Sequence, residues 1–401
     1  MSGIDALNIA KGGLLSHQTA INVTGTNIAN ANTEGYSRQR ATFSTLEPSV
    51  EISGIERIYD QFLSVQINEQ SNSLGDSETK KDALETVEMI FNETDGGGIN
   101  EILSEFWNAW EDLSANPSGQ AERLSLVSVS QSLASLFRSY GDDLLSAQND
   151  ANARIATLVE EVNGYVSDIA DINENIMRCG PDVSNDSEIN NLKDTRETLL
   201  TSLAGIVDIH YTTNEDDSIS IFLSNGIPLV DGSQSWDLDV VGSGQTSFYD
   251  VVFADDPSTS INDYLTKGSL AACIELRDTT VAGYIDSLNT LAASVVDQVN
   301  SQHGLGYDLN QDAGGDFFFF DVDPEVENAR YMKVSTEISD DINKIAASAT
   351  VNGDGDNAAG IGAIKDELVM NGGTSTLSAY YSSIVGQVGQ DAAYANRSFE
   401  H

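Results

Sequence analysis

Apolar residues recurring at helical spacing on either side of a run of short alternating strands predict a mainly α chain with an inserted small antiparallel β domain, an α+β fold. The helical signal is clearest at Ile155, Leu158, Val162, Tyr165, Ile169, Ile172 and Ile176, and it returns at Val281, Ile285, Leu288, Ala292, Val295 and Val299. The strand signal lies between them, at about 205–270. Long heptad-patterned helices from the N- and C-terminal regions are expected to pack as an elongated bundle, bringing both chain ends to one pole.

The first element is a helix in which Leu7, Leu14, Ile21 and Ile28 recur every seven residues, with Ile4 and Ala10 beside them. The stripe is narrow, and an isolated helix of this length is only marginally stable in water, so it needs a partner. Periodicity supports packing on its own domain and packing on another molecule equally. With no partner for the stripe in the sequence, residues 1–40 are expected to form a helix and turn that is disordered in the free monomer.

Helices follow at about 78–92, 99–113 and 120–146. Ile102, Phe106, Trp107, Trp110 and Leu113 give the second an aromatic face suited to a core. The rod-like helix of 155–178 stops at Cys179-Gly180-Pro181, and a shorter helix spans about 187–204. Strands are expected in "IVDIHYTT", "SISIFLS", "IPLVDG", "SWDLDVV" and "SFYDVVFA", with turns at Asn214 to Asp217, Asn225-Gly226, Gly232-Ser233 and Gly242 to Gly244. The expected division is 1–40, a helical rod part at 41–204, the β insert at 205–270 and a returning helical part at 271–401. That last part holds a loop region of 303–373 and a final helix carrying Leu377, Tyr381, Ile384, Val388 and Ala395.

Composition narrows the function. The chain has 401 residues, 40% of them hydrophobic, enough for more than one domain with a core. Sixty-three acidic residues against nineteen basic ones give a net charge of −44, which repels nucleic-acid phosphate and anionic membranes. No apolar run is long enough to span a bilayer, and no secretory signal is expected at the N-terminus. Cys179 and Cys273 are too few for a disulfide framework or a multi-cysteine zinc site.

The search for catalytic chemistry finds no pattern. His17, His210, His303 and His401 lie far apart, and there is no GxSxG, phosphate-binding loop or dinucleotide fingerprint. No cofactor, metal or catalytic residue is expected. "DLNQDAGGDF" (308–317) and "NGDGDN" (352–357) invite a calcium reading. In the first, however, Ala313 replaces the turn glycine and Phe319 stands where a bidentate Glu is needed, so both read as solvated turns. An acidic extracellular hydrolase would show converging carboxylates in a pocket, and a calcium-dependent adhesin would show metal-induced stabilisation of 308–317.

The end of the first helix, Asn27-Ile28-Ala29-Asn30-Ala31-Asn32-Thr33-Glu34-Gly35-Tyr36, resembles the N-terminal signature of the bacterial flagellar axial proteins of rod, hook and hook-associated type. The following Ser37-Arg38-Gln39 is similar to the hook-associated branch. "RIYDQFLSVQI" (57–67), "NNLKDTRETLLTSLAGIVDI" (190–209), "SNGIPLVDG" (224–232) and "VNSQHGLGYDLNQDAGGDFF" (299–318) extend the likeness across most of the chain.

The resemblance implies a non-catalytic structural protein, exported by the flagellar type III apparatus without a cleaved signal and located outside the cell at the junction of hook and filament. The implied partners are further copies of itself in a ring, the hook protein, a second junction protein and an export chaperone. In the family a C-terminal helix bearing a Gly-Val-Asn-Leu-Asp-Glu-Glu-like run is recognised by the chaperone. No such run precedes His401, so that site is expected to be missing. A hook or rod component is the alternative within the family.

The resemblance makes Leu7, Leu14, Ile21 and Ile28 an assembly surface. Burying such side chains contributes roughly 1.5 to 3 kcal/mol each. Asn27, Asn30 and Asn32 are expected to weaken the helix end by competing for its backbone bonds, and Gly35 to permit the turn. Tyr36, Arg38 and Gln39 are candidate contacts beyond it, although packing within the chain would equally account for Tyr36 and Arg38.

Overall fold

The structure, a computed structural model, describes residues 3–46, 49–92, 97–180, 186–243, 248–321, 328–351 and 353–400. Pro181 of the expected helix stop, Gly244 of an expected turn, Asn352 of the second acidic stretch and His401 lie outside the described residues.

The chain opens with α1 (Gly3–Ala29), a hairpin of β1 (Gln39–Leu46) and β2 (Ser49–Arg57), α2 (Gln61–Ile90), α3 (Ile99–Ala115), α4 (Gln120–Cys179) and α5 (Asp186–Ile206). Seven strands follow: β3 (Ile209–Thr213), β4 (Ile219–Leu223), β5 (Pro228–Asp231), β6 (Gln234–Ser235), β7 (Leu238–Gly242), β8 (Tyr249–Phe253) and β9 (Asp256–Ser260). A five-residue π turn, Leu276–Thr280, joins α6 (Gly268–Glu275) to α7 (Val281–His303). The chain continues with β10 (Phe318–Phe320), β11 (Met332–Val334), α8 (Thr336–Asp340), α9 (Asp356–Ala363) and α10 (Leu377–Glu400).

Two compact units result. One comprises Met1–Thr79 with Asn152–Ile274, the other Lys80–Ala151 with Glu275–His401. This division differs from the expected boundaries at 40, 204 and 270. The strands are not a separate domain, because Ile219, Ile221, Leu223, Leu229 and Leu238 share one core with Ile155, Leu158, Val162 and Ile169 of α4 and Leu200 and Leu203 of α5. They form two antiparallel sheets, β3-β4-β5-β6 and β7-β8-β9.

Within the first unit, buried Asn173 of α4 fastens the strands to the helices. Its Nδ2 donates to the carbonyls of Ile219 (2.9 Å) and Gly232 (2.7 Å), and its Oδ1 accepts from Arg196 Nη1 (2.7 Å). Burial holds the Arg196 pKa below its ordinary value, and the same Nη1 also donates to Asp217 O at 2.9 Å.

Helix α4 is continuous for 60 residues where two helices were expected. The gap in apolar spacing arises because polar residues there bond to backbone: Gln148 Nε2 donates to Arg277 O (2.7 Å) and Asn152 Oδ1 accepts from Tyr249 N (2.8 Å). With no Gly or Pro in that stretch, nothing breaks the helix. Helix α2 likewise starts at Gln61 rather than at about 78, its first turn capped by Asp60 Oδ1, which accepts from Phe62 N at 3.0 Å. The β1–β2 hairpin was not expected at all. Its alternation of Ala41, Phe43 and Thr45 is weakened by polar neighbours.

In the second unit, α3 buries Leu103, Phe106, Trp107, Trp110 and Leu113 against Phe317, Phe318 and helices α7, α9 and α10. Buried His303, at the end of α7, ties the following loops to this core. Its Nδ1 meets Gly315 O at 2.7 Å and its Nε2 accepts from Ala346 N at 2.8 Å.

Candidate functional site

Helix α1 has two dissimilar faces. At ~100° per residue, Ser16, Val23 and Asn27 fall on one side and Leu7, Leu14, Ile21 and Ile28 on nearly the opposite one. The first side meets the hairpin: Ser16 and Val23 are buried, the Ser16 hydroxyl lies 2.9 Å from Val50 O, and the His17 ring sits 5.9 Å from that of Phe43. The heptad stripe faces away. Leu7, Leu14, Ile21 and Ile28 are 69%, 69%, 70% and 73% exposed.

At the end of α1, Asn27 folds the chain back on itself. Its Nδ2 donates to Gln39 O at 2.8 Å, and its Oδ1 accepts from Gln39 N and Tyr36 Oη, both at 2.9 Å. Asn27 therefore pairs with β1 rather than competing within the helix. Asn30 does bond back, from Nδ2 to Thr26 O at 3.0 Å. Gly35 has φ of 77°, and a side chain there would come within 2.4 Å of Thr198 Oγ1. The positive φ favours glycine, and any side chain would also have to displace the Thr198 hydroxyl.

The turn docks on α5. Ser37 N donates to Asp194 Oδ2 at 3.0 Å, and Arg57 Nε to Asp194 Oδ1 at 2.6 Å. Buried Gln39 reaches Asn191 Oδ1 at 3.3 Å. Partial burial, with Asp194 nearby, raises the Tyr36 pKa. Arg38 is exposed, and its carbonyl accepts from Ile58 N at 2.8 Å. Thus Tyr36, Gly35, Asn27 and Gln39 converge on one locus, while the four stripe residues and Arg38 face outward. Asp194, Asn191 and Thr198 complete that locus; their only sequence signal was membership of the 190–209 stretch.

A shallow cavity of about 300 Å³ lies beside this turn, lined by Glu34, Tyr36 and Asp194 among others. Asp194 is committed to Ser37 and Arg57. In the 308–317 turn, Asp308 Oδ1 accepts from Asn310 N (2.7 Å) and Asp312 N (2.9 Å), while Lys344 Nζ lies 3.2 Å from Asp312 and 3.6 Å from Asp308. A lysine ammonium occupies the position between those carboxylates.

The family model described as flagellar hook-associated protein FlgK helical domain matches residues 84–318, more than half of the chain. The chain belongs to this family. A second model, flagella basal body rod protein, matches residues 7–36, the helix and turn described above. Over 440 aligned residues the chain is 27% identical to flagellar hook-associated protein 1 of Bacillus subtilis (strain 168), covering 98% of this chain and 86% of that relative. The Escherichia coli (strain K12) protein of the same name is 27% identical over 338 residues, covering 81% of this chain and 61% of the relative. The flagellar hook junction protein FlgK from Burkholderia pseudomallei has the same fold, with a TM-score of 0.74 at 16% identity, over 84% of this chain and 97% of that one.

Proposed function

We infer that this chain is a structural component of the bacterial flagellum, acting at the junction between hook and filament. The family match across 84–318 carries the reading, and the rod-protein match at 7–36 supports an axial role for α1. Physically, a stripe of four large apolar side chains held outward by a polar inner face suits a helix that buries its apolar side only on assembly.

In this reading copies of the chain form a ring on the distal end of the hook, between the hook protein and a second junction protein. The chain travels through the flagellar type III apparatus. Leu7, Leu14, Ile21 and Ile28 form the assembly surface, and Asn27, Asn30, Gly35, Tyr36 and Gln39 set the angle at which α1 leaves the hairpin. Helix α1 is only loosely held in the free chain, because its inner side buries little beyond Ser16 and Val23.

Immunogold electron microscopy of whole flagella, with antibody against the strands of 205–270, tests the function. A single narrow band between hook and filament is expected. Label along the hook or rod would move the chain to another axial position, and label absent from the flagellum would overturn the reading.

A further inference from the structure

The dipeptide Asn-Gly occurs four times, beginning at Asn163, Asn225, Asn352 and Asn371. Such a pair carries its own reaction: the glycine amide nitrogen, which no Cβ shields, can attack the asparagine side-chain carbonyl. Whether it does so depends on how each pair is held. Asn163 is locked inside α4. Its Nδ2 donates to Leu238 O and its Oδ1 accepts from Leu238 N, both at 2.8 Å, and the Gly164 N–H belongs to the helical ladder. In the turn from β4 to β5 the Gly226 N–H donates to Leu223 O at 2.8 Å, and Asn225 Oδ1 accepts from Ile227 N at 3.0 Å. Asn352 lies outside the described residues.

Asn371 is held differently. It is exposed in the turn before α10, with φ of 51°. The N–H groups of Gly373, Thr374 and Ser375 converge on Met370 O at 3.0 to 3.3 Å, whereas that of Gly372 donates to nothing among the described residues. Two hydroxyls sit on the reacting groups: Thr374 Oγ1 donates to Asn371 O at 3.0 Å, and Asn371 Nδ2 donates to Ser375 Oγ at 3.1 Å. Asn371 O is where negative charge collects once the Gly372 nitrogen loses its proton, so the Thr374 hydroxyl stabilises the attacking form. The Ser375 hydroxyl lies against the nitrogen that must leave, placed to protonate it. We propose that Asn371-Gly372 is a self-modification site, at which Asn371 deamidates through a cyclic imide with the help of Thr374 and Ser375.

In the first step hydroxide takes the Gly372 amide proton and the nitrogen bonds to Asn371 Cγ. The Cγ–Nδ2 bond then breaks, and Nδ2 leaves as ammonia with a proton from Ser375 Oγ, which recovers its own from water and so regenerates hydroxide. Water opens the imide at either carbonyl, giving aspartate or isoaspartate; the net change is amide plus water to carboxylic acid plus ammonia. Either product adds negative charge to the turn. Isoaspartate also lengthens the main chain by a methylene, a few residues before Leu377 and Tyr381, the first buried residues of α10. The turn that sets the start of α10 therefore changes covalently as the chain ages.

Peptide mass spectrometry on the purified full chain, held at neutral and mildly alkaline pH and digested at intervals, tests this. In the folded chain Asn371 is expected to deamidate about tenfold or more faster than Asn163 and Asn225, since each of those must first give up hydrogen bonds. The rate should rise with hydroxide, and the product should be a mixture of aspartate and isoaspartate. In urea the three rates should converge, because the bonds that distinguish them are gone. Thr374→Val and Ser375→Ala, with unchanged circular dichroism, should each slow Asn371 in the folded chain by about tenfold, the value of one hydrogen bond to a charged group, and leave its rate in urea unchanged. An Asn371 that reacts no faster than Asn163 and Asn225 when folded, or either variant reacting at the wild-type rate, overturns the proposal.

Discussion

Asn27 pairs with the backbone of Gln39 through both ends of its side-chain amide, at 2.8 and 2.9 Å. A side chain twelve residues upstream thus serves as the hydrogen-bonding neighbour at the start of β1, and the same oxygen also accepts from the Tyr36 hydroxyl. Replacing it by Leu removes three bonds and leaves partly buried polar groups without partners. The expected cost is about 1 to 3 kcal/mol, confined to the hairpin. Amide exchange should show it as faster exchange at Gln39, with the amides of α4 unchanged.

The two faces of α1 predict a difference in proteolysis. Trypsin is expected to cut at Lys11 well before Arg154, because α1 buries little while the turns after Arg154 bury Ile155, Leu158, Val162 and Ile169. Equal survival of both sites would show that α1 is held as firmly as α4.

Ile21→Asp separates folding from assembly. The side chain is 70% exposed, so the unfolding free energy should stay within about 0.5 kcal/mol of wild type. Cells carrying the variant should nonetheless lose filaments and swimming. Normal motility would remove Ile21 from the assembly surface.

Gly75→Ala places a methyl group 2.0 Å from the Gly205 carbonyl, where backbone cannot give way cheaply. A loss of about 1 to 3 kcal/mol is expected in urea unfolding. Gly164→Ala is the control: nothing lies within 4 Å of its added Cβ, and helix propensity should raise stability there by about 0.5 to 1 kcal/mol.

His303 predicts an acid dependence. Burial lowers its pKa below the ordinary 6.5, and the Ala346 N–H donated to Nε2 requires the unprotonated nitrogen. The unfolded chain therefore binds the proton more readily. The contribution of this residue is complete above about pH 6.5 and falls as the pH drops below it, by at most about 1.4 kcal/mol per pH unit. Stability measured between pH 8 and 5 should decline more steeply for wild type than for His303→Gln. Parallel profiles would contradict the assignment.

Elements that bury apolar side chains were legible before any coordinates. The aromatic face of α3, the spacing of α7 and the Leu377 to Ala395 stripe of α10 are core positions, because apolar periodicity is the direct trace of apolar burial. The Asn27 to Gln39 stretch was legible as a locus, through its likeness to the axial family, but not as a geometry. Asp194, Asn191 and Thr198 stand more than 150 residues away in the chain and carry no local signal of meeting it.

The first half of α2, the continuity of α4 and the β1–β2 hairpin could not be read because those segments pack through hydrogen-bonded Ser, Asn and Gln side chains and, at Gly75, through close backbone approach. Such contacts leave no hydrophobic period. The sequence also specified that Leu7, Leu14, Ile21 and Ile28 share one face of a helix, since a seven-residue spacing permits little else. Whether that face points inward or out is a separate matter, because a period is the same in either case. Three-dimensional packing settled it: Ser16, Val23 and Asn27 take the hairpin, and the apolar stripe is left to solvent.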